Sequence, residues 1–266
     1  MLKALVNRKA GRNFSAGINW RNSFHASEDS LTASVFERLL YLPTNILGEI
    51  ICRILNVDIS NMSFNEGFKE YEFWPGWDAE GTTNEQRVEP DLFVKFEDFD
   101  LVIEAKRNDS VFQNLNQWNN EIIAYRNKYA SENKTIVFLA VGGVVNFNTE
   151  RFSNEEGLII AHCKWLDILD AVKNILENID AYELPSSFKI PVINILKDII
   201  EAFGIHHIST GEWFKSFLNN SKQLHMYSFF MVENFLSKHC WFSSFRNEAE
   251  IINKFFIKNP FEDAKY

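Results

Sequence analysis

Apolar residues recur at two different periods along this chain, and the period assigns the elements. In SEDSLTASVFERLLYLP the apolar positions fall three and four apart, which predicts a helix from about Glu28 to Tyr41, with Ser27 as N-cap and Pro43 as stop. TNILGEIICRILN keeps that spacing and predicts a second helix, capped near Thr44 or Asn45. Residues 57–88 are polar and glycine-bearing and read as loop with one short strand around Tyr71 to Trp74. Two strand-like runs follow, about Asp91 to Phe96 and Leu101 to Lys106, separated by the turn-like EDFD. A long helix from about Ser110 to Tyr129 then carries Val111, Leu115, Trp118, Ile122, Tyr125 and Tyr129 as one stripe. KTIVFLAVGG and GLIIAHC read as buried strands. From Trp165 onward the period is helical throughout: WLDILDAVKNILENI, IPVINILKDIIEAF closed by Gly204, GEWFKSFLNN, LHMYSFFMVENFL and NEAEIINKFF. The class is therefore α/β, with helices and strands mixed over residues 1–165 and an α-helical C-terminal subdomain over 166–266.

The strand pair raises a chemical question, because it sets Asp, Glu and Lys among apolar neighbours. If EDFD is a four-residue hairpin loop, Phe96 faces Leu101 and Asp91 faces Lys106. One face then holds Leu92, Val94, Phe96, Leu101, Ile103 and Ala105, and the other holds Asp91, Phe93, Lys95, Val102, Glu104 and Lys106. Glu104 and Lys106 lie about 7 Å apart along their strand, with Asp91 at a comparable distance across the pair. Two carboxylates converging at low dielectric repel each other unless positive charge lies between them. A divalent cation meets that need, and hard oxygen ligands suit Mg²⁺ or Mn²⁺. Such an ion can supply an activated water for phosphodiester cleavage, with Lys106 orienting or deprotonating that water or neutralising the developing charge. The plainer reading is a pair of surface salt bridges, Asp91 with Lys106 and Glu104 with Lys95, worth about 0–1 kcal/mol each.

The residues Pro90-Asp91, followed after twelve residues by Glu104-Ala105-Lys106, resemble the PD-(D/E)XK nuclease superfamily. The hairpin followed by a helix and a strand also looks like that superfamily's restriction-endonuclease-like αβββαβ core, a mixed sheet flanked by helices, over roughly residues 28–165. The resemblance implies that Asp91 and Glu104 bind the metal, that Lys106 serves hydrolysis, and that the substrate is nucleic acid, chiefly DNA. A role in defence against foreign DNA or in repair is an extrapolation from that substrate class. A nuclease-like fold kept as a non-catalytic binding module is the alternative.

Members of the superfamily often add a glutamate from the first core helix, and Glu28, Glu37 and Glu49 are available. With Leu31 at zero, the first helix's apolar stripe centres at about 90°, Glu28 falls at about 60° and Glu37 at about 240°. Glu49 lies about 150° from the stripe of the second helix. Glu28 alone points inward, so it joins Asp91 and Glu104 as a candidate metal ligand; as a plain first-turn acid it would contribute about 0.3–1 kcal/mol through the helix dipole. Gln113 and Gln117, one turn apart on the long helix and away from its stripe, are candidate substrate contacts together with Arg107. Gln117 with Tyr125 loosely resembles a glutamine–tyrosine arrangement found in some members. Arg126, Lys128 and Lys134 would add phosphate contacts.

Composition narrows the field. The net charge of −9 argues against a protein that coats nucleic acid through its overall field. Residues 1–27 nevertheless hold Lys3, Arg8, Lys9, Arg12 and Arg21 and no acid, either a solvated tail or a phosphate-contacting arm. Cys52, Cys163 and Cys240 are scattered and odd in number, which fits a reducing cytoplasm and no disulfide or zinc framework. No apolar run is long enough to span a bilayer, so a membrane is not expected as a partner. A homo-oligomer or a partner subunit remains compatible with the acidic charge. The six histidines form no HExxH, and there is no Walker loop, dinucleotide fingerprint or G-x-S-x-G elbow.

Overall fold

A computed structural model describes residues 23–24, 26–55, 64, 67–107, 112–144, 152 and 155–209. They all fall in the first of two compact units, Met1–Thr210; Gly211–Tyr266 is the second. The basic arm, Cys240 and the three helices expected beyond residue 210 lie outside the described residues.

The first helices form as their spacing predicts. Helix α1 runs Glu28–Leu40, and the Ser27 side chain accepts the backbone N–H of Ser30 at 3.2 Å, satisfying one of the free donors of the first turn. Helix α2 spans Thr44–Leu55 and buries Ile46, Leu47, Ile50, Ile51, Ile54 and Leu55. The stretch expected as loop contains more structure than its polarity suggests. It holds β1 (Phe68–Phe73) and a two-stranded ribbon of β2 (Trp77–Asp78) and β3 (Arg87–Val88). Then come β4 (Leu92–Phe96), β5 (Phe99–Ala105), α3 (Leu115–Tyr129), β6 (Thr135–Val141), β7 (Leu158–Cys163), α4 (Trp165–Glu177) and α5 (Ser186–Ile205).

The main sheet is mixed, in the order β1-β4-β5-β6-β7. β1, β4 and β5 are antiparallel, while β5, β6 and β7 are parallel, with α3 as the crossover between β5 and β6. Leu92, Val94, Phe96, Leu101 and Ile103 face a core completed by α1, α2, α4 and α5, with Trp165, Val172, Leu196 and Phe203 among its members. Phe93, Val102 and Phe138 face the opposite core under Trp118 and Tyr125 of α3. The two helices after Trp165 thus belong with the sheet. No described helix is long and apolar enough to cross a membrane.

The hairpin register differs from the expected one by two residues. Leu92 pairs with Ile103 and Val94 with Leu101, leaving a two-residue turn of exposed Glu97 and Asp98. The cause is Phe99, which stacks on Phe96 at 4.5 Å and extends β5 backward into the core. Asp100, expected in the loop, is a fully buried strand residue bonded to the Tyr125 hydroxyl (2.8 Å) and Lys134 Nζ (3.3 Å). Because side chains alternate with period two, an even slip leaves both faces as expected.

Helix α3 also starts later than Ser110. Asn114 caps it by accepting the N–H of Asn116 at 2.9 Å, which leaves Gln113 outside the helix. Helix α5 begins before Ile190 and carries exposed Pro191 in its interior.

Candidate functional site

The altered register brings Asp91, one residue before β4, against Ala105, the last residue of β5. Asp91 Oδ2 accepts the Ala105 N–H at 2.8 Å, and Oδ1 accepts the indole N–H of Trp74 at 3.3 Å. The Trp74 backbone N–H also donates to the Asp91 carbonyl at 3.1 Å. Trp74 does this with φ of 50°, a left-handed conformation unfavourable for a bulky residue. One strained tryptophan therefore grips Asp91 by both backbone and side chain.

Glu104 lies on the same side of the sheet and is 2% exposed. Its Oε1 accepts from Lys106 Nζ at 2.5 Å and from Gln117 Nε2 at 2.8 Å. Lys106 is held through its main chain: its N–H donates to Val141 O at 2.7 Å, and its carbonyl accepts the Trp165 indole N–H at 2.8 Å. Gly142, at φ 68°, passes so close that a Cβ there would stand 2.1 Å from the Lys106 carbonyl oxygen. Glu28 closes the cluster from α1. Its Oε2 accepts the Arg107 N–H at 2.6 Å, and its Oε1 lies 3.6 Å from Lys106 Nζ. Glu37 and Glu49 are engaged elsewhere, with Tyr41 and Arg53.

The electrostatics follow from this crowding. Burial raises the Asp91 carboxyl above its ordinary value, against the lowering effect of the Ala105 N–H and Lys106. Burial and then the Asp91 charge push Glu104 up to about 7. For Lys106, burial alone would lower the ammonium, but Glu104, Glu28 and Asp91 outweigh it and the net effect is upward. The cluster holds one ammonium for several carboxyls.

A further carboxyl lies beside it. Glu121, one turn after Gln117 on α3, is 1% exposed; burial and the Glu104 charge hold it well above the usual range. Glu121 is absent from the residues expected by pattern, because the apolar stripe dominates that helix. At about 60° from Trp118 it sits on the shoulder of the stripe, and its i,i+4 spacing from Gln117 is the signal that could have found it.

Two of the expected contacts stand differently. Gln113 is buried, with Nε2 donating to the carbonyls of Glu104 (3.2 Å), Val141 (3.3 Å) and Gly142 (3.0 Å), and Oε1 accepting from Trp118 Nε1 (3.0 Å). It clamps strand ends and does not face a groove beside Gln117. The Arg107 guanidinium turns toward the His206 carbonyl, 3.5 Å away at the end of α5. Lys95 binds Glu132 at 2.5 Å, not Glu104; Arg126 binds Glu155 at 2.9 Å, and Lys134 binds Asp100 and the Phe96 carbonyl. Asp91 and Glu104 are the two buried carboxyls at these adjoining strand ends, and both Asp91 oxygens and Glu104 Oε1 already accept hydrogen bonds. Among the described residues, no three His, Cys, Asp or Glu side chains are grouped to hold a metal by themselves.

No family model matches the chain. Over 162 residues it is 33% identical to an uncharacterised protein of Pasteurella multocida (strain Pm70), a match covering 57% of this chain and 56% of that protein. The chain thus spans little more than half the length of this relative. Among solved structures, it resembles a protein of unknown function, AF1548, at 13% identity and TM-score 0.29, covering 59% of this chain and 98% of the other. It also resembles the small subunit of the heterodimeric restriction endonuclease R.BspD6I at 12% identity and TM-score 0.26, covering 66% and 94%. With TM-scores this low, neither likeness bears on activity.

Proposed function

We propose that this chain is a metal-dependent nuclease hydrolysing phosphodiester bonds, with DNA as its substrate class. Asp91, Glu104 and Lys106 carry the reaction in this reading, and Glu28 and Gln117 hold Lys106 and Glu104 in place. The supporting observation is that two buried carboxyls from adjoining strand ends, both raised by burial, meet a lysine bonded to one of them. Carboxyls in that state gain from added positive charge. An Mg²⁺ or Mn²⁺ ion held by Asp91 and Glu104, with waters and a substrate oxygen completing its shell, would polarise the phosphodiester and acidify a water. Lys106 stays protonated among its carboxyl neighbours, so it serves as a donor to charge developing on a phosphate oxygen rather than as a base. Gln117 fixes the Glu104 rotamer, and Glu28 restrains the ammonium from the opposite side. The acidic net charge leaves delivery of the nucleic acid to a partner subunit or a second copy.

One observation favours a second reading. Lys106 already neutralises Glu104 at 2.5 Å, as it would in a binding module that performs no chemistry. The two readings separate when wild type and Lys106→Ala are incubated with plasmid and single-stranded DNA in Mg²⁺, Mn²⁺ or EDTA. Metal-dependent cutting by wild type that is lost in the variant selects the nuclease. Binding by both proteins without cutting selects the module.

A further inference from the structure

Phe112 is 64% exposed, yet the residue after it is held through both main chain and side chain. The Gln113 N–H donates to the Gly143 carbonyl at 3.2 Å, its Nε2 donates to three carbonyls that include that of Glu104, and its Oε1 accepts from Trp118. Asn114 then caps α3. The Phe112 ring thus stands at a fixed corner before the start of α3. Of the exposed large apolar side chains among the described residues, it alone adjoins in sequence a residue bonded to the Glu104 main chain. Lys106 and Arg107 leave β5 on the strand side of the same connection, and Asn114, Asn116 and Gln117 on its helix side line a cleft of about 530 Å³. Gln117 also donates to Glu104 Oε1, so the cleft and the cluster share a wall.

A phenyl ring left in water adds little to the core, and one whose backbone is already fixed loses little freedom when a flat partner covers it. Nucleobases are such partners: each has a π-face, and stacking on an aromatic ring requires no particular sequence. The cations and amides on either side suit the sugar–phosphate chain that carries the base. In-line attack on a phosphodiester also needs the strand held still beside the bond, which a stacked base provides. Resting on the nuclease reading, we infer that Phe112 stacks on a base of the substrate strand as that strand enters the Asp91–Glu104 site.

Fluorescently labelled dT12 and a strand of equal length with abasic sugars throughout make the test, with binding followed by anisotropy in EDTA so that no cutting intervenes. Wild type should bind dT12 about tenfold or more tightly than the abasic strand. Phe112→Ala should lose about tenfold for dT12 and nothing for the abasic strand, whose phosphates it still meets, while Phe112→Trp should bind both as wild type does. The position is exposed, so both variants should fold, which circular dichroism checks. Phe112→Ala that binds dT12 as wild type does, or that loses both strands equally, overturns the inference. So does a wild type that does not distinguish the two strands. If Phe112→Ala changes the elution volume of the DNA-free protein on gel filtration, the ring covers a second copy of the chain and the inference is again overturned. If wild type cuts DNA in Mg²⁺ without distinguishing the strands, only the stacking is wrong. If it neither binds nor cuts, the nuclease reading has failed and this one with it.

Discussion

Glu104→Gln should make the metal-free protein more stable at alkaline pH, although it removes a residue at the centre of the site. The Glu104 carboxyl is raised from 4.5 to about 7, first by burial and then by Asp91. A raised acid favours the protonated folded state: its contribution is fully present below 4.5 and is lost as pH climbs through about 7. Every tenfold change in proton affinity between the folded and unfolded chain is worth about 1.4 kcal/mol, so the ionised carboxylate at pH 8 burdens the fold by roughly 3 kcal/mol. Glutamine retains an acceptor for Gln117 but replaces the hydroxyl of the protonated acid with an amide, an imperfect exchange that returns about 1 kcal/mol. The net expectation in EDTA is a gain of about 2 kcal/mol near pH 8 that vanishes near pH 4.5. In a protein of this size that corresponds to an increase in Tm of about 4–8 °C. Urea unfolding of both proteins at the two pH values measures it. Adding Mg²⁺ should then stabilise wild type and leave the variant unmoved, because binding to the folded state alone adds stability by mass action. A variant equal to or weaker than wild type at pH 8 in EDTA would refute the claim that the carboxyl is held against its ionisation.

Lys106→Met should destabilise the protein by about 3 kcal/mol near pH 8, since it strips the ammonium from buried Glu104 and Asp91, and by much less near pH 5, where the raised carboxyls take up protons; denaturant melts at both pH values check this. Gly142→Ala should lose at least about 3 kcal/mol or fail to fold, because the new Cβ would stand 2.1 Å from the Lys106 carbonyl at a φ of 68°; soluble yield and thermal melting read it out. Trp74→Phe keeps a ring but removes the indole donor to Asp91, so it should weaken stability by about 1 kcal/mol and reduce metal-dependent cutting more than it reduces DNA binding.

What is legible in the chain depends on whether a residue's role is set by local period or by contacts across the fold. Glu28 is found by angle, because the stripe of Leu31, Val35, Phe36 and Leu39 fixes where α1 faces, and a carboxyl beside that stripe at the first turn has to point at the sheet end. Asp91, Glu104 and Lys106 fall on one side of the hairpin even with the register off by two, since alternation is indifferent to an even slip. The same slip hides Asp100: a four-residue turn needs it, and only the stacking of Phe96 on Phe99 shows that the turn is shorter. Gln113 and Glu121 are out of reach for a related reason. The pattern extends α3 through Gln113, but Asn114 caps the helix there, and Gln113 commits its amide to three carbonyls from two strands. Glu121 stands on the shoulder of the apolar stripe, where period alone does not decide whether a polar side chain is buried. Both belong to the part of the site built by strand ends meeting a helix, where the partners are far apart in sequence. Trp74 lies further still from any pattern, because its left-handed backbone is imposed by its two bonds to Asp91. The site therefore rests on a legible frame of three charged residues, and the groups that tune it are written in long-range contacts that no single stretch of sequence contains.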